Sequence, residues 1–317
     1  MEKACQLSTV NCQLTMNIAY LISAHTDAPQ LKRLVEALHP DAHFFIHIDK
    51  KSDITPFTSL LQGDNVHFLP NRVNVRWGTI LEVDYQMALI KAAIDFPVTF
   101  DRIFFLSGMD YPLWSNAHIT KWLEKQGDRE ILSGIRMDTR LISRQQRRLY
   151  THARPFFHFE GLSNKGNERL SIICRKLKAL IGMRKHLFFK VGGQRWHLYK
   201  GAAWWCISEK LATYIYQTYT NEPAIRHYFV DSFGQAETLI QTIAFNSPEW
   251  APHCLLHEGK YPGLAALTPL HYILYEPVIK MMEESDYATL MASGKMFARK
   301  FISGKSDKLI EMLYGRN

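Results

Sequence analysis

Long apolar runs are missing from this 317-residue chain. No stretch approaches the roughly 18 uncharged apolar residues that cross a bilayer, and the N-terminus lacks the basic-then-apolar pattern of a secretory signal. Both absences predict a cytosolic protein. Cysteine is scarce: Cys5, Cys12, Cys174, Cys206 and Cys254 are odd in number, widely scattered and form no Cys-x-x-Cys pair. That pattern argues against a disulfide framework and a zinc site, and leaves them as buried or incidental thiols. Neither Gly-x-x-x-x-Gly-Lys-Ser/Thr nor Gly-x-Gly-x-x-Gly occurs. ATPase and dinucleotide-dehydrogenase readings therefore lose their main support. Gly-x-Ser-x-Gly, His-Glu-x-x-His and Asp-x-Asp are absent as well, which removes the nucleophile elbow, a common zinc helix and the carboxylate pair that often holds a divalent cation. Any phosphate chemistry here falls to lysine and arginine side chains.

What is present is a core-forming composition, 47% hydrophobic and only 21% charged. It suits one large α/β domain or two smaller ones. The net charge of +8 implies an anionic partner: nucleotide phosphates, nucleic acid or an acidic membrane face. The positive charge concentrates between Arg136 and Arg195, while the first hundred residues are nearly balanced. No nucleic-acid-binding motif appears, so a nucleic-acid partner is not expected.

The chain centres on Arg102–Leu113. Its apolar run Ile103–Leu106 suits a strand covered on both faces, and Ser107-Gly108 breaks it to place Asp110 at the strand's carboxyl end, where open α/β sheets bind ligands. Asp110 as a simple turn cap before Pro112 is an equally good reading. Upstream, residues 1–15 show no periodicity and read as a leader. Asn17–Ala24 is a buried-strand pattern, Gln30–Leu38 a helix with Leu31, Leu34, Val35 and Leu38 on one face, and Phe44–Ile48 a second strand ending at Asp49. This strand, helix, strand order opens a nucleotide-binding α/β sheet.

Val66–Leu69 reads as a third strand and Thr79–Ile94 as a long helix. In that helix Glu82 and Asp84 are two residues apart, a poor pair for a shared metal. A helix over Ala117–Lys125 and a strand over Ile131–Ile135 follow. Arg140, Arg144, Arg147 and Arg148 recur at near-helical spacing, with Tyr150, His152, Phe156, Phe157 and Phe159 behind them. Arg169–Lys185 predicts a basic helix with Leu170, Ile173, Leu177, Leu180 and Ile181 on one stripe. Such a helix either lies on an anionic membrane or packs its stripe on the core. Ala202–Ser208 reads as a dense apolar strand whose paired tryptophans, Trp204 and Trp205, are core residues or a stacking surface for sugar rings. A helix opens at Gln235-Ala236-Glu237 and runs to about Phe245, with Glu237 either a dipole partner or a functional carboxylate.

Read in order, several blocks resemble one family, the core-2/I-branching β-1,6-N-acetylglucosaminyltransferases and the related peptide O-xylosyltransferases. The blocks are Ile18–His25, Phe45–Ser52, Arg76-Trp77-Gly78, Phe105–Leu113, Gly201–Trp205, Glu237–Thr242 and Met296–Phe301. Residues 136–195 resemble the family least and read as a basic insert in a single domain over 16–317. The resemblance implies a GT-A type, Rossmann-like α/β fold with a mostly parallel central sheet flanked by helices. It also implies a UDP-sugar donor, inversion at the anomeric carbon and no divalent metal. N-acetylglucosamine is the favoured sugar and xylose the next.

By the same resemblance Glu237 is the catalytic base, with Gln241 and Thr242 completing its local pattern. Ala236 stands where relatives carry Asp. Lys300 and Arg299 match the cations that meet the donor diphosphate, and His271 stands where an arginine is usual. His25, Asp49, Arg76, Trp77 and Asp110 complete the expected nucleotide-sugar site. Trp204, Trp205 and Arg147 fall on the acceptor side. The expected partners are a UDP-sugar and a glycan or lipid-linked glycan in cell-surface polysaccharide synthesis. The expected setting is a bacterial-type cytosolic enzyme touching the anionic inner membrane face. Ala236 and His271 support a rival reading, a sugar-nucleotide-binding protein impaired in catalysis.

Overall fold

In the computed structural model, residues 16–153, 164–181, 184–275 and 278–314 are described. The expected leader and the aromatics Phe156, Phe157 and Phe159 lie outside them. The first half alternates strand and helix. It runs β1 (Ile18–Ala24), α1 (Ala28–Ala37), β2 (His43–Ile48), α2 (Thr55–Leu60), β3 (Val66–Phe68), α3 (Leu81–Ile94), β4 (Arg102–Ser107), β5 (Asp110–Pro112) and α4 (Asn116–Gln126). Next come β6 (Ser133–Arg136), α5 (Arg144–Thr151), α6 (Asn164–Leu180), β7 (Phe188–Val191), β8 (Gln194–His197), β9 (Tyr199–Lys200), β10 (Cys206–Ile207), α7 (Glu209–Asn221), α8 (Pro223–Phe229) and α9 (Leu239–Phe245). The chain closes with β11 (Leu255–His257), β12 (His271–Ile273), α10 (Tyr287–Ala292), β13 (Phe297–Arg299) and α11 (Asp307–Tyr314).

The central sheet has the order β10-β4-β1-β2-β3, parallel except for the antiparallel edge strand β10. Its strands read as unbroken apolar runs because both faces are covered. Alternate side chains go to opposite sides, as the strand's two-residue period requires. Ala19, Leu21, Phe45, Ile103 and Phe105 join α3, α7 and α9 in one core, whereas Ile18, Tyr20, Ile22, Phe44, Ile46, Phe104 and Leu106 join α1, α2 and α4 in the other. A smaller sheet, β12-β13-β5, sits beyond the carboxyl end of β4 with α10 and α11 packed on it.

Two close approaches fix the backbone near these strand ends. A Cβ on Gly108 would lie 2.8 Å from that of Ala24, so only glycine lets the chain reverse against β1 and carry Asp110 into β5. A Cβ on Gly201 would lie 1.9 Å from the carbonyl oxygen of Ser133, which makes glycine obligatory where β9 passes β6.

Most expected elements stand within a few residues of their predicted bounds, and three differ. Of Ala202–Ser208, only Cys206–Ile207 pairs as a strand. The helix expected from Gln235 is split into a 3₁₀ turn at Gln235–Glu237 and α9. The basic helix is displaced toward the N-terminus, to Asn164–Leu180.

Candidate active site

The carboxyl ends of β1, β2 and β4 open into a cavity of about 520 Å³. Residues at or just past those strand ends line it, Ser23, His25, His47, Asp49 and Ser107, together with Trp77, Glu82, Trp204, Glu237 and Arg299. This is the position where an open α/β sheet binds ligands.

One end is built by β2 and the loop after β3. Asp49 is largely buried, and its Oδ1 accepts the N–H groups of Lys51 at 3.0 Å and Val75 at 3.3 Å. Below it, His47 stacks on Tyr85 with ring centroids 5.0 Å apart, and its Nε2 accepts the Val73 N–H at 2.9 Å. Burial, followed by the charge of Arg72, pulls the His47 pKa down to about 4 despite the nearby Asp49 carboxylate. The ring therefore stays neutral and holds the loop leading to Trp77. His25 and Trp77 stand at the mouth, Trp77 being 83% exposed. Burial lowers the His25 pKa too, with Arg299, Lys300 and Lys51 adding to the effect against Asp49.

Glu237 supplies another part of the lining. Gly234, with φ near +62°, turns the chain into the short 3₁₀ segment, and the Glu237 carbonyl accepts the Gly201 N–H at 2.8 Å. Its Oε2 forms an ion pair with Lys200, a buried side chain on β9 that also donates to the Gly201 carbonyl at 3.3 Å. Sequence reading missed Lys200, because a spacing of 37 residues carries no local signal. Glu82 carries no site signal in the sequence for another reason: its two-residue spacing from Asp84 speaks only against a shared metal. It lies in the first turn of α3, lines the cavity and accepts the Gly78 N–H at 2.8 Å. Burial, and next the neighbouring Glu237 charge, push its pKa up to about 7 against that hydrogen bond.

The cationic side is held from behind. In the β13–β5 pairing Arg299 lies opposite Asp110, and its Nη1 meets Asp110 Oδ1 at 3.0 Å. Asp110 Oδ2 accepts the Ser107 N–H at 2.7 Å and His271 Nε2–H at 3.1 Å. Burial alone would raise the Asp110 pKa, but these hydrogen bonds and the Arg299 charge hold it below the usual carboxylate range. Burial also lowers the His271 pKa, keeping that ring neutral. Held by Asp110, the guanidinium lies over Trp204, 5.5 Å from the ring centroid.

Several expected residues therefore need correcting. Asp110 does not line the cleft: it is 0% exposed and anchors Arg299 from beneath. His271 is 1% exposed and points at Asp110, because β12 runs behind β13 and turns its side chain inward. Trp205 is fully buried and stacks on Phe105 at 5.4 Å, because the extended chain entering β10 sends alternate side chains to opposite faces. Only Trp204 of the pair reaches the cavity. Arg147 on α5 and Arg76, whose carbonyl accepts the Thr79 hydroxyl at 2.7 Å, are not among the cavity-lining side chains. Lys300 does not line the cavity directly, yet it is close enough to act on His25 and Arg299 electrostatically. Among the described residues, no group of three or more His, Cys, Asp or Glu is placed to hold a metal ion.

Against known proteins, the family model for Core-2/I-Branching enzyme matches residues 18–262. Xylosyltransferase 2 of Rattus norvegicus is 27% identical over 243 residues, covering 74% of this chain and 25% of the relative. Xylosyltransferase 2 of Homo sapiens is 27% identical over 242 residues, covering 73% and 25%. The alignments thus span about a quarter of the length of these curated relatives. A crystal structure of the galactosyltransferase LgtC with donor and acceptor sugar analogs aligns with a TM-score of 0.39 and 12% identity, over 93% of this chain and 95% of that one.

Proposed function

This chain belongs to the Core-2/I-Branching enzyme family, and on that premise we propose that it is a metal-independent, inverting glycosyltransferase of GT-A type using a UDP-sugar donor. The observation that carries the reading is a single cavity lined by Asp49, Glu237 and Arg299 together. In the proposed reaction Asp49, His25 and Trp77 hold the nucleotide. Arg299, with Lys300 beside it, faces the diphosphate and offsets the negative charge that grows on it as the bond to the sugar breaks. Glu237 takes the proton from the acceptor hydroxyl as that oxygen attacks the anomeric carbon from the opposite face. Lys200 fixes the direction of the base by holding Oε2. N-acetylglucosamine is the favoured sugar, xylose the next, and the acceptor is a glycan or lipid-linked glycan of cell-surface polysaccharide synthesis.

Calorimetric titration of UDP, UDP-N-acetylglucosamine and UDP-xylose in excess chelator tests this reading. Saturable binding without metal is expected, and binding that needs added manganese or magnesium contradicts it.

The outward face of α6 favours a peripheral contact with an anionic membrane. Ile173, Leu177, Leu180 and Ile181 are 52%, 54%, 83% and 68% exposed, with Arg169, Arg175, Lys176 and Arg184 exposed around them. Lys178 and Lys185 instead turn toward Asp231, Lys185 at 2.5 Å, and tie the helix end to the segment after α8. The rival reading, a binding protein impaired in catalysis, loses half its support because His271 is sealed behind Asp110, away from the departing group.

A further inference from the structure

We infer that Glu82 is a specificity-determining residue whose carboxyl hydrogen-bonds a polar group of the transferred sugar, a role that rests on the donor reading above. Three carboxylates line the cavity among the described residues: Asp49, Glu82 and Glu237. Asp49 is occupied by two backbone N–H groups and has Lys51 Nζ at 3.4 Å, and Glu237 is paired with Lys200. Glu82 has no ion-pair partner, and its one hydrogen bond is from the Gly78 N–H to Oε2. Oε1 is therefore available to a ligand.

Its position points to the sugar. Through Gly78 the carboxyl is tied to the loop that carries Trp77, which the donor reading assigns to the nucleotide, and it lies close enough to feel the charge of Glu237, which that reading makes the base. A sugar attached to the nucleotide and attacked beside Glu237 has to occupy the space between. Glu82 also acts on the Tyr85 hydroxyl below, itself bonded to Ser23. With its pKa near 7 the carboxyl samples both protonation states at neutral pH, and it can donate to a sugar oxygen as well as accept from a hydroxyl or amide. A purely structural role, bracing the turn at Gly78 through one backbone hydrogen bond, is the competing explanation.

The two roles separate in a comparison of UDP with UDP-sugars. Wild type, Glu82→Gln and Glu82→Ala are titrated with UDP, UDP-N-acetylglucosamine, UDP-glucose and UDP-xylose, with thermal melting as a fold control. Gln keeps an acceptor for the Gly78 N–H, so it guards against simple misfolding. The expected result is a loss of about 10- to 100-fold in affinity for the preferred UDP-sugar in Glu82→Ala, a smaller loss in Glu82→Gln, and UDP affinity within twofold of wild type. Equal losses for UDP and UDP-sugar would assign Glu82 to the Trp77 loop and overturn the inference, as would unchanged sugar preference in both variants. Failure of the wild type to bind UDP overturns the donor reading first and this inference with it. Intact UDP binding with unaltered sugar preference overturns only the role of Glu82.

Discussion

Arg299 owes its place to a buried carboxylate. Removing one member of a buried ion pair leaves the other uncompensated and typically costs about 3 kcal/mol. Asp110→Asn is therefore expected to destabilise the protein by about that amount and to weaken UDP binding by about tenfold, since Arg299 loses its anchor. Denaturant melts and calorimetry check the two effects separately. His47 gives a pH prediction. Its folded pKa is about 4, below the ordinary histidine value, so the unfolded chain binds the extra proton between those limits. Stability is then full above about pH 6.5 and falls as pH drops toward 4, by about 2 to 3 kcal/mol, and protonation also breaks the Val73 hydrogen bond. Melting temperatures from pH 7.5 to 4.5, compared with His47→Gln, should show a shallower acid loss in the variant. Fully buried Trp205 is expected to cost about 3 to 5 kcal/mol when changed to alanine, with no separate effect on sugar binding.

Residue roles were legible where a short motif carries them and illegible where the fold brings distant side chains together. Phe297–Phe301 announced its cations through resemblance, and Arg299 does line the cavity. The burial of Asp110 and His271 could not be read the same way, because a strand-end aspartate looks identical whether it faces the ligand or supports an arginine. Lys200 gave no signal at all.

Among the elements, the central strands were the easiest to read, because cover on both faces demands continuous apolar runs in β1, β2 and β4. Ala202–Ser208 has the same composition but forms only a two-residue edge strand, since Gly201 and Trp205 are fixed by close packing against β6 and Phe105. Periodicity predicted α6 and its apolar stripe but left the facing open. The structure turns Ile173, Leu177, Leu180 and Ile181 outward. Replacing these four by glutamine is expected to abolish co-sedimentation with phosphatidylglycerol vesicles while leaving UDP affinity unchanged. Undiminished vesicle binding contradicts the membrane role.

For the whole molecule, strand ends from the first half and a β-strand from the last thirty residues converge on one cleft. A base at Glu237 and a cation at Arg299 face the same space across some sixty residues of intervening chain (237 to 299). Resemblance already joined Glu237 and Arg299 in one site; the β13–β5 pairing that holds Arg299 there has no signal in the sequence. The most direct measurement is sugar transfer from UDP-N-acetylglucosamine and UDP-xylose to a panel of glycan acceptors, made on wild type and Glu237→Gln alongside donor titrations. The expected result is wild-type transfer, a fall of about 10²- to 10⁴-fold in kcat for the variant, and donor affinity within about threefold of wild type. Equal rates in the two proteins, or equally absent transfer while both bind the donor, would contradict the assignment of Glu237 as the base.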